Sequence, residues 1–396
     1  MAVPAVAALV DRLGPDFTPP VLVVGGAVRD LLIGTAPVDL DLMVEGPVAA
    51  LAAALDGDRL RLHDRFATAT IELEGARCDI AQARSETYSA PGALPEVEPA
   101  SAADDLRRRD FTVNAIALGL TGAARGKLLS VPGALPDLEA GQLRVLHDLS
   151  FSDDPTRLLR LARYAARLRF GVEPHTLGLA REAVDGGALD TVSGVRIGNE
   201  LRLLAAEGDP VAALQALAAL GIDRAIDRRF GLRDVPALER ALALLPEGER
   251  RDRLALAAAL LDAGASAPEA AALLDRLAFP AGDRDAIVAA ATQAASLSAR
   301  LEMAGQPSEI DAAIGDAEPG LVALAGALGP TGAARDWLVR LRALRLEITG
   351  DDLIAAGVRE GPAIGAGLAA ARAAMLDGEA PDRSSQLAVA LGAARG

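Results

Sequence analysis

A change of pattern near Asp153 constrains this chain more than any other feature. Before it, β-branched runs alternate with turn residues; after it, Leu/Ala segments at helical spacing continue to the C-terminus. VLVV (21–24), VDLDLMV (38–44), ATATIEL (67–73) and ARCDIAQ (76–82) read as strands, by alternation and by flanking Gly, Pro and Asp. GGAVRDLLIG (25–34) and PVAALAAAL (47–55) read as helices. That order predicts an α/β head, a mixed sheet with helices, followed by an all-α neck, body and tail. The helical part is broken at EGDP (207–210), LPEGER (245–250), FPAGD (279–283) and AEPG (317–320). No fixed repeat period emerges, so a solenoid is not inferred. A length of 396 residues suits two or three compact units. We divide the chain into a head at 1–140, a neck at 141–205 and a body and tail at 206–396.

With 51% hydrophobic residues, a sizeable core is assured. The lone Cys78 cannot form an internal disulfide, which fits a reducing compartment. The segment MAVPAVAALVDRLG lacks a basic n-region, and no stretch reaches the roughly 18–20 apolar residues of a membrane span. The expectation is a soluble cytoplasmic protein with no membrane partner. A net charge of −15 argues against a general polyanion binder, so any phosphate recognition must come from local arginines. Lys127 is the only lysine, which together with the abundance of Ala and Leu reads as compositional bias.

VDLDLMV carries the first chemical signal. Residues i and i+2 of a strand project to one side, which places Asp39 and Asp41 about 7 Å apart at their Cα atoms. Two hard carboxylates so placed suit divalent ions at the roughly 3.5–4 Å spacing used in phosphoryl transfer. An isolated DxD is more often a pair of solvated acids. Here VLVVGGAVRD precedes it: a strand, a Gly-Gly turn and a helix start carrying Arg29, an arrangement able to admit and hold a phosphate. The plainer reading is an ordinary turn with Arg29 paired to an acid.

GGAVRDLLIG followed by DLDL resembles the signature of the class II CCA tRNA nucleotidyltransferase and bacterial poly(A) polymerase family, within the DNA polymerase beta-like nucleotidyltransferase superfamily. The resemblance implies that Asp39 and Asp41 bind two Mg²⁺ ions and that Gly26 and Arg29 contact the triphosphate. Asp79, in RCDIAQAR, could be a third carboxylate or a structural partner of Arg77 or Arg84.

Two arginine-rich segments extend the match. DDLRRRDFTVNAIAL (104–118) reads by itself as a charged turn before a buried element, and it resembles the family's DLxRRDFTxNA motif. That resemblance puts Arg109 at the nucleotide. The intervening segment 84–99, rich in Pro and Gly, resembles a mobile loop and reads as irregular. In FSDDPTRLLRLARYAARLRF (151–170), Asp154 followed by Pro155 reads as an N-cap with Pro at the first helical position. Arg157, Arg160, Arg163 and Arg167 fall at about 0°, 300°, 240° and 280° around that helix, one third of its circumference. Such a stripe is usually a solvated face, with Leu158, Leu161, Ala165 and Leu168 turned to the core. The segment resembles the family's EDPxRxxRxxR motif, with Asp153 in place of Glu. The resemblance implies that Asp154 and Arg157 read the Watson–Crick edge of CTP or ATP, with Arg160 and Arg163 nearer the phosphates. SGVRIGNELRLL (193–204) resembles SxxRIxxEL, where Arg196 and Glu200 would brace the neck.

The resemblance covers residues 20–205 densely, and residues 350–381 resemble tails of longer members. It implies a transferase that binds ATP, CTP and Mg²⁺ and processes tRNA, gripping its acceptor end and elbow. Adding the whole 3′-terminal CCA with release of pyrophosphate is the first expectation. Adding A alone, with a separate CC-adding partner, is the second; CC addition and poly(A) synthesis follow. The acidic DGEAPD (377–382) counts against the last of these. A catalytically dead RNA-binding module would have signalled itself by loss of Asp39 or Asp41, and both are present. His63, His147 and His175 are too scattered for a phosphohydrolase metal cluster and read as structural or surface residues.

Overall fold

The structure, a computed structural model, describes residues 4–14, 17–37, 40–55, 61–63, 68–73 and 76–395. They form two compact units, residues 1–200 with 219–225, and residues 201–218 with 226–396. The expected head, and the expected neck as far as Glu200, therefore lie in one unit.

The first unit is built on a seven-stranded mixed sheet. Its strands are β1 (Val21–Val24), β2 (Leu40–Val44), β3 (Arg61–His63), β4 (Thr68–Leu73), β5 (Ala76–Gln82), β8 (Ile116–Gly119) and β9 (Leu128–Ser130), in the order β3-β4-β5-β2-β1-β8-β9. β2 and β5 are parallel and every other pair is antiparallel. β1 lies inside the sheet and is buried along its whole length, which explains its unbroken VLVV run. On one face, Ala102 and Leu106 of α4 (Ala102–Arg107) pack with Leu22, Val24, Met43 and Ala117. α1 (Pro4–Leu13) and α3 (Val48–Leu55) pack with one another and with β4, through the fully buried Leu9, Leu51 and Leu55. Between β1 and β2 runs α2 (Gly26–Leu32).

Two sequence expectations change here. Residues 84–99 are not irregular throughout: β6 (Arg84–Thr87) and β7 (Glu96–Pro99) pair as an antiparallel ribbon around a turn. Arg84–Thr87 is polar throughout and Glu96–Pro99 is exposed throughout, so neither strand carries the apolar run of a buried one. The charged segment at 104–107 is helix rather than turn. Ser101 caps α4 by accepting the Asp104 N–H at 3.2 Å.

The same unit continues through α5 (Ala134–Ala140), α6 (Ser150–Asp153), α7 (Thr156–Leu168), α8 (Pro174–Asp185) and α9 (Gly194–Ala205), the last as far as Glu200. The second unit is helical. Pro319–Ala327 and Arg251–Asp262 pack against the long helix Ala281–Met303, and both carry unbroken buried runs because they are covered on all sides. Helices Pro362–Leu376 and Arg383–Arg395 form a hairpin over a core of Ile348, Leu353, Val358, Ala371 and Ala390. The breaks at 245–250, 279–283 and 317–320 lie at the starts of these helices, and EGDP (207–210) leads into helix Pro210–Ala219. Among the described residues no helix is long and apolar enough to cross a membrane.

Candidate active site

A cleft of about 360 Å³ lies within the first unit, lined by Gly26 and Asp41 from the sheet region, Arg109 after α4, and Asp154, Arg157 and Arg160 around the start of α7. A recess of about 370 Å³ also contains Asp41 and Arg109, together with Asp79. Sequence segments more than a hundred residues apart thus converge on one place.

Asp39 lies outside the described residues. Asp41 is the one exposed residue of β2, between buried Leu40 and Leu42. Its register partner on β5 is Asp79, so the two acids stand side by side on the same face of neighbouring parallel strands. Asp79 is already engaged: Thr70 Oγ1 donates to it at 2.7 Å and Arg77 pairs with it at 3.2 Å. On the opposite face of β5, burial and the Asp79 charge push the Cys78 thiol up to about 11, so it is inert. An exposed carboxylate beside a second one is the hard oxygen donor set that divalent ions prefer, so the residues present fit such a metal.

The two glycines make room for guanidinium groups. Gly25 has φ +70°, and a Cβ there would lie 2.6 Å from Arg109 Nη1. The Cβ position of Gly26 is 3.4 Å from Arg29 Nη2. Arg29 lies behind the cleft wall at 1% exposure, bonded to Asp30 through Nε (2.9 Å) and Nη2 (2.7 Å) and to Asn114 Oδ1 through Nη1. Arg109 is held at 3.1 Å by Asp105, which also binds Arg108 at 2.7 Å; among the described residues the buried Arg109 Nε has no hydrogen-bond partner.

On α7 the arginine stripe turns inward instead of to solvent. Arg157 and Arg163 are 5% and 7% exposed, whereas Arg167 is exposed. Arg157 donates to Ser150 Oγ at 2.7 Å and to the Arg108 carbonyl at 2.8 Å. Arg160 grips Asp110 Oδ2 through Nε (2.8 Å) and Nη2 (2.6 Å) and reaches Glu200 at 3.2 Å. Burial alone would raise the Asp110 pKa. The Arg160 charge, with hydrogen bonds from Asn114, Arg160 and the Phe111 N–H, instead holds it at about 2. Arg163 pairs with Glu200 at 3.4 Å and lies 4.8 Å from the centre of the Tyr164 ring.

Asp154 caps α7 by accepting the Thr156 N–H at 3.0 Å, with Pro155 preceding the first full turn, as its sequence suggests. Thr156 Oγ1 and Arg196 Nη2 (2.8 Å) bind the same oxygen, Oδ1, and among the described residues no hydrogen bond goes to Oδ2. Among the described residues Arg196 and Glu200 do not pair with each other. Arg196 joins Asp154 to the Gly92 carbonyl at 3.0 Å, while Glu200 serves Arg160 and Arg163. His175 is exposed and pairs with Asp148, and the His63 side chain lies outside the described residues.

Residues 21–144 match the Poly A polymerase head domain family. A CC-adding tRNA nucleotidyltransferase from Deinococcus radiodurans is 37% identical over 363 residues, which is 90% of this chain and 84% of that protein. The chain belongs to the tRNA nucleotidyltransferase and poly(A) polymerase family. An A-adding tRNA nucleotidyltransferase from Geobacter sulfurreducens is 42% identical over 229 residues, 56% of this chain; the match spans only 26% of that relative's length. The fold is that of a CCA-adding enzyme in an apo form, with TM-score 0.82 and 29% identity over 97% of this chain and 94% of the other. A CCA-adding enzyme in complex with ATP matches at TM-score 0.79 and 28% identity, with the same coverage.

For this family member, the sequence motifs assigned no role to Tyr88, Tyr164 or Glu86, which line the cleft, and Arg108, matched in the DLxRRDFTxNA motif, lines it as well. One signal could have found the first two. The chain has only two tyrosines, and both stand in this cleft.

Proposed function

We propose that the chain adds the 3′-terminal CCA to tRNA from CTP and ATP with release of pyrophosphate, in the cytoplasm. The observation that carries this reading is the convergence of Asp41, Gly26, Arg109, Asp154, Arg157 and Arg160 on one cleft. Two Mg²⁺ ions at Asp39 and Asp41 would lower the pKa of the attacking 3′-hydroxyl and neutralise the triphosphate. The chain's own groups do the rest. Arg109, with its unpartnered Nε, and Arg160 bind phosphate oxygens on the cleft wall, while Arg29 and Arg163 support that wall from behind. Asp154 Oδ2 accepts, and Arg157 donates, along the edge of the base. An acceptor beside a donor complements C or A after a small rotation and mispairs with G and U. The tRNA acceptor end lies at the cleft, residues 141–205 act as the neck that carries the base readers, and residues 206–396 contact the elbow.

A second reading, CC addition alone, is favoured by the Deinococcus radiodurans relative, which matches over most of both chains. Adding A alone would require a separate CC-adding partner. The test is extension of tRNAs ending before C74, at C75 and complete, with Mg²⁺ and one nucleotide at a time. Two C and one A on the shortest substrate establish full addition. Two C and no A establish the second reading, and no transfer to any of them overturns the proposal.

A further inference from the structure

The two aromatic side chains of the cleft are held differently. Tyr164 is enclosed: the Phe111 ring meets it edge-on at 6.0 Å, and Arg163, Arg29 and Arg160 stand 4.8, 5.3 and 5.6 Å from its centre. Tyr88 is anchored at its hydroxyl end instead. That hydroxyl donates to Glu86 Oε2 at 3.0 Å, while the other Glu86 oxygen is held by Arg108 at 2.7 Å and Arg84 at 3.2 Å. Glu86 is thereby fixed, and with it the phenol. The following turn is fixed as well. The Gly92 N–H donates to the Ser152 carbonyl at 3.0 Å, Arg196 donates to the Gly92 carbonyl, and a Cβ at Gly92 would lie 2.2 Å from Thr191 Oγ1. The half-buried Tyr88 ring lines the cleft in the company of Pro95, Asp154 and Arg157.

A base held only by hydrogen bonds at its edge leaves both faces open to water, which competes for those same bonds. An aromatic plane beside the edge-reading pair removes that competition, and stacking on aromatic side chains tolerates any base because every base has a π-face. We propose that the ring of Tyr88 is the stacking platform for the nucleobase whose edge Asp154 and Arg157 read. This rests on the nucleotide reading of the cleft given above. Tyr88 supplies affinity common to CTP and ATP, while Asp154 and Arg157 supply the discrimination.

The test is equilibrium binding to the full chain, with Mg²⁺, of three probes: ATP, CTP and inorganic tripolyphosphate, which has no base. Tyr88→Ala is expected to weaken ATP and CTP alike by on the order of 10- to 100-fold, with tripolyphosphate unchanged and Tyr88→Phe restoring most of the loss. Equal loss in Tyr88→Phe would assign the effect to the hydroxyl and Glu86, overturning the proposal. So would unchanged nucleotide binding in Tyr88→Ala, or a matching loss for tripolyphosphate. A second measurement does not depend on any variant folding: the fluorescence of 2-aminopurine riboside triphosphate is expected to be quenched on binding the wild-type chain, and binding without quenching overturns the stacking. If the wild-type chain binds neither ATP nor CTP, the nucleotide reading itself fails, an outcome distinct from all of these.

Discussion

Asp110→Asn isolates the ion pair that fixes Arg160. Asp110 is 5% exposed and all its acceptor capacity is used: Oδ1 takes the Phe111 N–H at 2.8 Å and Asn114 Nδ2 at 2.9 Å, and Oδ2 takes the Arg160 fork. An amide in its place keeps the shape but removes the charge, and in either orientation its NH₂ faces donors. The carboxyl is held at about 2 against an unperturbed 3.8. That difference of nearly two pKa units corresponds to about 2 kcal/mol of native-state stability. Facing donors brings the expected loss to about 3 kcal/mol, within the range for breaking a buried pair. Because the folded pKa lies below the unfolded one, this contribution is fully present above about pH 4 and disappears as the pH falls toward 2. The gap between wild type and Asp110→Asn should therefore be flat from neutral pH to about 5 and close below 4. Urea unfolding followed through the tyrosine near-ultraviolet signal suits the purpose, since Tyr88 and Tyr164 both lie in the first unit while the sole Trp337 lies in the second. A gap under about 1 kcal/mol at neutral pH, or one that persists unchanged below pH 4, would refute the reasoning.

Asp41→Ala, at an exposed position, should abolish nucleotide transfer while altering unfolding by less than about 1 kcal/mol; transfer at the wild-type rate would remove Asp41 from the site. Gly25→Ala forces a Cβ onto Arg109 at a backbone φ of +70°, so a stability loss of about 1–3 kcal/mol should accompany a rise in the KM for nucleotide; unchanged melting and KM would show that neither constraint matters. Arg157→Ala should change the ratio of CTP to ATP use more than total nucleotide binding, and competition between the two nucleotides measures it directly. Arg196→Gln removes the guanidinium that ties Asp154 Oδ1 to the Gly92 carbonyl; it should also shift that ratio, and an unchanged ratio would show that Arg196 serves folding alone.

Four strands of the head, β1, β2, β4 and β5, were legible because each is an apolar or alternating run between turn residues, and ARCDIAQ coincides with β5 at both ends. Arg61–His63, three residues long, is too short to show a period, and the Glu96–Pro99 strand is exposed throughout, so neither left a hydrophobic trace. The cap on α4 was legible and was passed over: Ser101 followed by Asp104 is an N-terminal helix signal that the arginine run beside it obscured. Depth was not legible at all. A helical wheel gives the direction of Arg157, Arg160 and Arg163, but whether that face meets solvent depends on Asp110 and Glu200, which reach α7 from 50 and 40 residues away. The same limit explains Arg196 and Glu200. Their spacing of four allows a pair, yet each has a better partner that only the fold supplies.

These partners also resolve the conflict between an acidic molecule and a cleft proposed to bind phosphates. Arg29 is matched by Asp30, Arg108 by Asp105 and Glu86, Arg109 by Asp105, Arg160 by Asp110 and Glu200, and Arg163 by Glu200. Buried pairs of this kind add little to stability once desolvation is counted, so their value lies in holding guanidinium groups in place before a ligand arrives. Such a wall projects a weak field, and selection then falls to short-range hydrogen bonds rather than to long-range attraction. Arg157 differs from its neighbours. Among the described residues its hydrogen bonds go only to a hydroxyl and a carbonyl, so a cation at 5% exposure stands without an acid. An incoming group that brings acceptors to Arg157 gains more there than at any matched arginine, which supports the proposed role of this residue in telling bases apart.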